Sequence, residues 1–269
     1  MATFEDSVTP RPPHRAVAVR SVNKSYATKT GTVEAVRDVS FDVLRGQVVS
    51  LVGPSGCGKS TVLKMIAGLI PFDSGSIEVA DAPAAAGRRD CGIMLQSPVL
   101  LPWRTVLENV MLPAQIMGLD KAEAEARARS LFELVGLQGF EHSRVWELSG
   151  GMQQRASLAR LLVFEPEILL MDEPFSALDE FTRERLDSEL ARLQTRLDRT
   201  IVYVTHNIPE AVMLSDTVVV MTPRPGQVVA RTPIELPRPR TREVMAGQDA
   251  QALILGIRQT LDDDGGAAE

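Results

Sequence analysis

The sequence predicts an α/β fold in which alternating strands and helices are interrupted by an inserted α-helical subdomain and preceded by a β-rich N-terminal part. Three observations predict it. Short apolar runs of strand length recur at Val48–Val52, Ile168–Met171, Ile201–Val204 and Val218–Met221, as expected for strands buried on both faces of a sheet. Helical patterns fall between these runs. From Thr105 to Phe164 the strand signals vanish and only helical periodicity remains.

Taken in order, residues 1–14 read as a loose arm, because Pro10, Pro12 and Pro13 cannot support a helix. From Arg15, Val17 and Val19 share one strand face, and Val39, Phe41 and Val43 repeat the two-residue period. After Val48–Val52 a glycine-rich turn leads into a helix expected over Ser60–Ile70, then strands at Ile77–Val79 and Ile93–Leu95. In the insertion, about residues 97–163, Ala124, Ala128, Leu131 and Val135 line one helical stripe, and Gln153–Val163 carries a second helix. Leu186, Leu190, Leu193 and Leu197 form another stripe. The main domain is placed at 15–236 and a C-terminal extension at 237–269, ending in a solvated tail from Asp262.

Composition narrows the function. The 29 Lys+Arg are outnumbered by 35 Asp+Glu, for a net charge of −6, so the chain lacks the global positive field of a nonspecific nucleic-acid binder. The longest charge-free stretches, Gly46–Gly58 and Cys91–Trp103, are too short to span a bilayer. The N-terminus has no apolar segment of the secretory type. Cys57 and Cys91 match no disulfide framework or zinc spacing and read as small buried residues.

The chemistry is carried by two motifs. Gly53-Pro54-Ser55-Gly56-Cys57-Gly58-Lys59-Ser60-Thr61 fits G-x-x-x-x-G-K-[ST] between a buried strand and a helix. Its glycines let backbone N–H groups converge on phosphate oxygens, and the following helix turns its positive dipole end to the same point. Lys59 supplies a charge for the β- and γ-phosphates, and the Ser60 hydroxyl is a ligand for Mg²⁺. The second motif is Ile168-Leu169-Leu170-Met171-Asp172-Glu173, an apolar strand ending in two carboxylates. Ligands bind at the carboxyl ends of strands in such sheets, so Asp172 is placed to hold the metal and Glu173 to orient an attacking water.

Between these motifs lies Leu148-Ser149-Gly150-Gly151-Met152-Gln153-Gln154-Arg155. In this order the three strings resemble the nucleotide-binding subunits of ATP-binding-cassette (ABC) transporters over roughly residues 16–236, with a P-loop NTPase (RecA-like) core. The resemblance implies ATP and Mg²⁺ as ligands and assigns further roles. Tyr26 resembles the aromatic that stacks on adenine, although alone a Tyr at a strand end is more often a packing residue. Gln96 resembles the glutamine that touches Mg²⁺ and the water. Asp179, in Ser176-Ala177-Leu178-Asp179, couples the two sites of a dimer, and His206 reaches the γ-phosphate. Ser149, Gly150 and Gly151 complete the site of a second, head-to-tail subunit, so a homodimer sandwiching two ATPs is expected.

The string Gln96-Ser97-Pro98-Val99-Leu100-Leu101-Pro102-Trp103-Arg104-Thr105-Val106 resembles importers of the nitrate/sulfonate/taurine type. Leu100, Leu101 and Trp103 have two readings, packing under the insertion or a groove for a helix of a membrane permease. The family implies a permease partner, an indirect solute-binding protein, no nucleic acid, and a peripheral position on the cytoplasmic face of the inner membrane. Importers of pyrimidine-type vitamin precursors share much of this string, so the solute stays open. Val145 stands where importers often carry Pro, and Leu95 where Phe often precedes the glutamine. A soluble ABC ATPase of DNA repair or translation usually has two cassettes or added zinc or coiled-coil insertions, which this chain lacks. A nucleotide sensor without turnover is disfavoured by the presence of both Glu173 and His206. Arg224, Arg238 and Arg240 read as solvated charge, with contact to lipid headgroups or the permease as the second reading.

Overall fold

A computed structural model of the chain describes residues 14–265, apart from 30, 177, 180, 184, 185, 187–189 and 192–198. The proposed arm, apart from His14, and Leu193 and Leu197 of the last stripe therefore lie outside the described residues. Two sheets form the frame. The first is antiparallel, in the order β2-β1-β4-β5, from β1 (Arg15–Thr28), β2 (Gly31–Leu44), β4 (Ser74–Val79) and β5 (Ala82–Pro83). The second runs β10-β9-β3-β8-β7-β6, from β3 (Val48–Val52), β6 (Cys91–Met94), β7 (Ile168–Asp172), β8 (Thr200–Val204), β9 (Thr217–Met221) and β10 (Val228–Pro233). All of its pairings are parallel except that of β10 with β9. Every residue of β3, β7 and β8 is buried, which explains their unbroken apolar runs.

Helix α1 (Lys59–Ile66) packs between the sheets, where Val19, Val39, Phe41, Leu51, Leu63, Ile66 and Leu170 share one core. It ends four residues earlier than its apolar pattern suggests. Gly68 turns the chain at φ +67, and a Cβ there would lie 2.3 Å from the backbone of Ala85. The other face of the parallel sheet is covered by α2 (Val106–Val110), α3 (Leu112–Met117), α4 (Lys121–Leu134) and α5 (Gly150–Leu162), with Phe132, Ala156 and Leu161 packed toward Met171 and Tyr203. The β1–β2 hairpin is longer than the sequence signals because register shifts break its alternation at several points.

The C-terminal region departs from expectation twice. After α6 (Ile208–Leu214) and α7 (Arg242–Ala246), helix α8 (Gln248–Gly265) continues through Asp262 instead of giving way to a tail there. Its Ile254 and Ile257 pack on Val52, Ile208 and Val220. Arg240 is not solvated. It is buried and donates to the carbonyls of Val212 (3.0 Å), Met213 (3.2 Å), Ser215 (2.5 Å) and Ile234 (3.0 Å), because the C-terminal carbonyls of α6 need donors. Arg238 binds Asp216 at 2.7 Å. Burial, helped by the Arg238 charge and opposed by Asp216, pushes the Arg240 pKa down to about 10. No described helix is long and apolar enough to cross a membrane.

Candidate active site

Parallel register brings four strand ends to one edge. Leu51 of β3 pairs with Val204 of β8, Asp172 of β7 with Val204, and Met94 of β6 with Met171. The residues just past these ends are the phosphate loop, Gln96, Glu173 and His206, so the sequence-distant groups meet because the strands run side by side.

The loop from Gly53 to Thr61 is compressed between its neighbours. Gly58 sits at φ +106, where a Cβ would lie 2.4 Å from Val36 Cγ1, and a Cβ on Gly53 would lie 2.7 Å from the Met221 carbonyl. Cys57 is buried under the loop, whereas Pro54, Ser55 and Gly56 are exposed. Lys59 is buried, and its Nζ donates to the carbonyls of Gly53 (2.7 Å) and Pro54 (2.9 Å). Both acceptors are neutral, so its charge stays at the loop. Ser60 Oγ donates to Asp172 Oδ1 at 2.7 Å. Asp172 is buried, and desolvation pushes its pKa above the ordinary carboxylate range, against the opposing pull of the Ser60 hydroxyl and Lys64.

Glu173 follows at φ 45, a left-handed conformation held by its N–H donating to the Val204 carbonyl at 2.9 Å. Its carboxylate accepts from Gln96 Nε2 at 3.0 Å, and His206 Nδ1 lies 3.3 Å from Oε1. Gln96 is in turn tied to the helical subdomain, since buried Gln154 of α5 donates to its carbonyl at 3.1 Å. Lys59, Ser60, Gln96, Glu173 and His206 face a cleft of about 550 Å³, which also takes in Tyr26, Gly56, Gly58, Thr61 and Arg224, with Asp172 behind Ser60 and outside its lining. Tyr26 is 40% exposed on the cleft wall, with Lys24 Nζ 5.4 Å from its ring centroid.

A polyphosphate and Mg²⁺ fit these residues. Ser60 and Asp172 offer two hard oxygens within 2.7 Å of each other, and no cluster of three or more His, Cys, Asp or Glu side chains suited to a metal occurs among the described residues. That donor set suits Mg²⁺, which takes one or two protein oxygens and completes its shell with phosphates and water. It does not suit a zinc cage.

Some expected residues stand elsewhere. Ser149, Gly150, Gly151 and Asp179 do not line the cleft of their own chain. Ser149 caps α5 by accepting from the Met152 N–H at 3.3 Å, and Gly150 faces open space. Asp179 is exposed and accepts from the Thr182 N–H at 3.0 Å, which lowers its pKa. The two readings of the segment after Gln96 divide between residues: Leu100 packs against the core, whereas Trp103 is 69% exposed, its carbonyl accepting from Arg144 at 2.7 Å. Arg224 was missed as a cleft residue. The signal available was its place in a Pro-Arg-Pro-Gly turn directly after a sheet strand.

Comparison with known proteins converges on one family. The model of a family described as "ABC transporter" matches residues 36–176. The chain is 40% identical over 239 residues to an uncharacterized ABC transporter ATP-binding protein of Methanocaldococcus jannaschii, covering 89% of this chain and 90% of that one. It is 45% identical over 215 residues to the taurine import ATP-binding protein TauB of Rhizobium johnstonii, covering 79% and 82%. Among solved structures, the dimeric ATP-binding cassette MJ0796 bound to ADP and Pi superposes with a TM-score of 0.75 at 30% identity, covering 81% of this chain and 99% of that one. The structure of cbiO1 from Clostridium perfringens, part of the ABC transporter complex cbiONQ, gives 0.71 at 26% identity, covering 91% and 97%.

Proposed function

This chain belongs to the ABC transporter family, and we propose from that premise that it hydrolyses ATP to drive import of a small solute through a partner permease. The observation that carries the reading is the placement of Glu173: its carboxylate lies within hydrogen-bond reach of Gln96 and His206, beside buried Asp172 and its partner Ser60.

ATP lies with its base at Tyr26 and its phosphates on the loop from Gly53 to Thr61. The loop N–H groups and Lys59 hold the β- and γ-phosphates. Ser60, Asp172 and Gln96 hold Mg²⁺, which when bound neutralises charge developing on the phosphate oxygens. Glu173 orients the attacking water and accepts its proton, and His206 meets the terminal phosphate. Ser149 and Gly150 are exposed and Gly151 is half-buried at the start of α5, away from their own cleft, and this supports their closing over the ATP of a second copy, with Asp179 at the same junction. The ATPase domain is assigned to residues 15–236, its helical subdomain to about 97–163, and the extension to 237–269.

The likeness to a taurine import protein supports a solute of the nitrate/sulfonate/taurine class, delivered to the permease by a solute-binding protein. It also supports a position on the cytoplasmic face of the cell membrane. An importer of a pyrimidine-type precursor is the second reading on the shared Leu100–Val106 string. Phosphate release from Mg-ATP tests the activity: the wild-type chain turns over, and Lys59→Ala loses binding or hydrolysis. No nucleotide binding by the wild-type chain would sink the proposal. Copurification with the adjacent permease, against stimulation of ATPase activity by DNA or ribosomes, separates importer from soluble ATPase.

A further inference from the structure

The turn Thr222–Gly226 is fixed between β2 and the phosphate loop. The Gly226 N–H donates to the Ala35 carbonyl, and its own carbonyl accepts from the Arg37 N–H, each at 3.0 Å. A Cβ on Gly226 would lie 1.9 Å from the Cys57 carbonyl, so the turn touches the loop's backbone directly. Within the turn, Thr222 Oγ1 donates to the Pro225 carbonyl at 3.1 Å and accepts from the Gln227 N–H at 3.0 Å. This scaffold delivers one cation. Arg224 Nε and a terminal nitrogen donate to the Gly56 carbonyl at 3.2 and 3.0 Å, and its side chain lines the cleft with Lys59, Ser60 and His206. Among the described residues that neutral carbonyl is its one acceptor, and no carboxylate pairs with it.

We propose that Arg224 is a further residue of the nucleotide site. Its two-pronged grip sets the exposed tip of the phosphate loop, and its uncompensated charge draws the polyphosphate. The inference rests on the ATP-binding reading of the same cleft. Two physical terms are involved. A guanidinium fork fixes its acceptor more tightly than an ammonium can. A cation on a cleft wall is attracted more strongly as the ligand gains phosphates, and that attraction weakens as salt rises.

The test is equilibrium binding of ATP, ADP and AMP to the full chain at two salt concentrations, with wild type, Arg224→Ala, Arg224→Lys and Lys59→Ala. Arg224→Ala is expected to weaken ATP about 5- to 10-fold, ADP less and AMP least, with a flatter salt dependence. Arg224→Lys recovers part of the loss. The ligand-free melting temperature of each variant is recorded alongside, because a purely structural role would lower it and weaken all three nucleotides equally. That uniform loss, or wild-type affinity in Arg224→Ala while Lys59→Ala is impaired, overturns the inference and leaves the ATP reading intact. If wild type itself fails to bind ATP, the parent reading fails.

Discussion

At the scale of single residues, the site places two adjacent carboxylates in opposite environments. Glu173 holds φ 45, a conformation that costs a residue with a Cβ roughly 1–3 kcal/mol. It persists because the Val204 carbonyl takes its N–H while Gln96 and His206 flank its carboxylate. Replacing the carboxylate with an amide keeps the shape and removes the base, so Glu173→Gln is expected to cut phosphate release by at least about 100-fold with ATP affinity within about twofold. Near-normal turnover would refute the role. Asp172 is buried, and its pKa is raised. The folded chain therefore keeps its proton to higher pH than the unfolded chain does. Above that raised pKa the cost of the buried charge is fully present, and it falls away as the pH drops through it. Asp172→Asn is thus expected to raise the ligand-free melting temperature at neutral pH by about 2–4 °C, with the gain shrinking toward pH 4, while Mg²⁺-dependent hydrolysis is lost. A lower melting temperature at neutral pH would show that the Ser60 bond outweighs desolvation. The sequence named Asp172 and Glu173 because phosphate chemistry demands fixed residue types at fixed spacings, and Gln96 and His206 through the family resemblance. It did not name Arg224 or Gln154 as partners, since their contacts join positions 168 and 58 residues apart, and no local pattern encodes such pairs.

At the scale of elements, helix boundaries and end-capping separate what periodicity reveals from what packing decides. The buried strands were legible as apolar runs because both of their faces are covered. The end of α1 was not, because Gly68 stops it by close approach to Ala85, a tertiary event. Arg240 shows the same limit. By composition it is one charge in a Pro-Arg-Pro-Arg run, yet it satisfies the last carbonyls of α6 and the Ile234 carbonyl. Its charge is disfavoured by burial, so the bonds must offset that cost. Arg240→Ala, which leaves those carbonyls unpaired, is expected to destabilise the fold by about 3 kcal/mol in denaturant unfolding. A loss below about 0.5 kcal/mol would mean that water replaces the guanidinium without cost. In the helical subdomain, Trp103 is exposed but its backbone is fixed by Arg144. An exposed aromatic on an anchored backbone suits a partner surface. Trp103→Ala should lower permease-stimulated ATPase activity several-fold and leave basal activity near wild type. An equal loss of both would return Trp103 to a packing role.

At the scale of the whole molecule, the proposed site is divided. One end of the chain's chemistry gathers at the parallel sheet edge, around Lys59, Glu173 and His206, while Ser149, Gly150 and Asp179 are exposed elsewhere. Head-to-tail pairing under a two-fold axis is the arrangement that brings each set to the other's partner and closes without leaving an unmatched surface. In that proposed arrangement the N-terminus of α5 would offer N–H groups and its dipole to the terminal phosphate from the far side. In the proposed dimer, anionic ATP between Lys59 with its loop and the N-terminus of the partner's α5 would hold the halves together, and its cleavage would loosen the pair. The α/β core and the insertion were legible in the sequence's own patterns, but the proposed division entered only through the family resemblance, because spacing along one chain is silent about residues that would meet across two molecules. A Glu173→Gln variant carrying cysteines at Ser55 and Ser149 is expected to be largely monomeric in buffer, to dimerise with saturating Mg-ATP, and to form the intermolecular 55–149 crosslink only then. The same variant with Lys59→Ala stays monomeric. Should dimers form equally with ADP or with no nucleotide, the nucleotide would not be the element that joins the two halves. Should Mg-ATP give dimers in which that crosslink never appears, the phosphate loop and α5 would not face each other, and the assembly would have to use another surface.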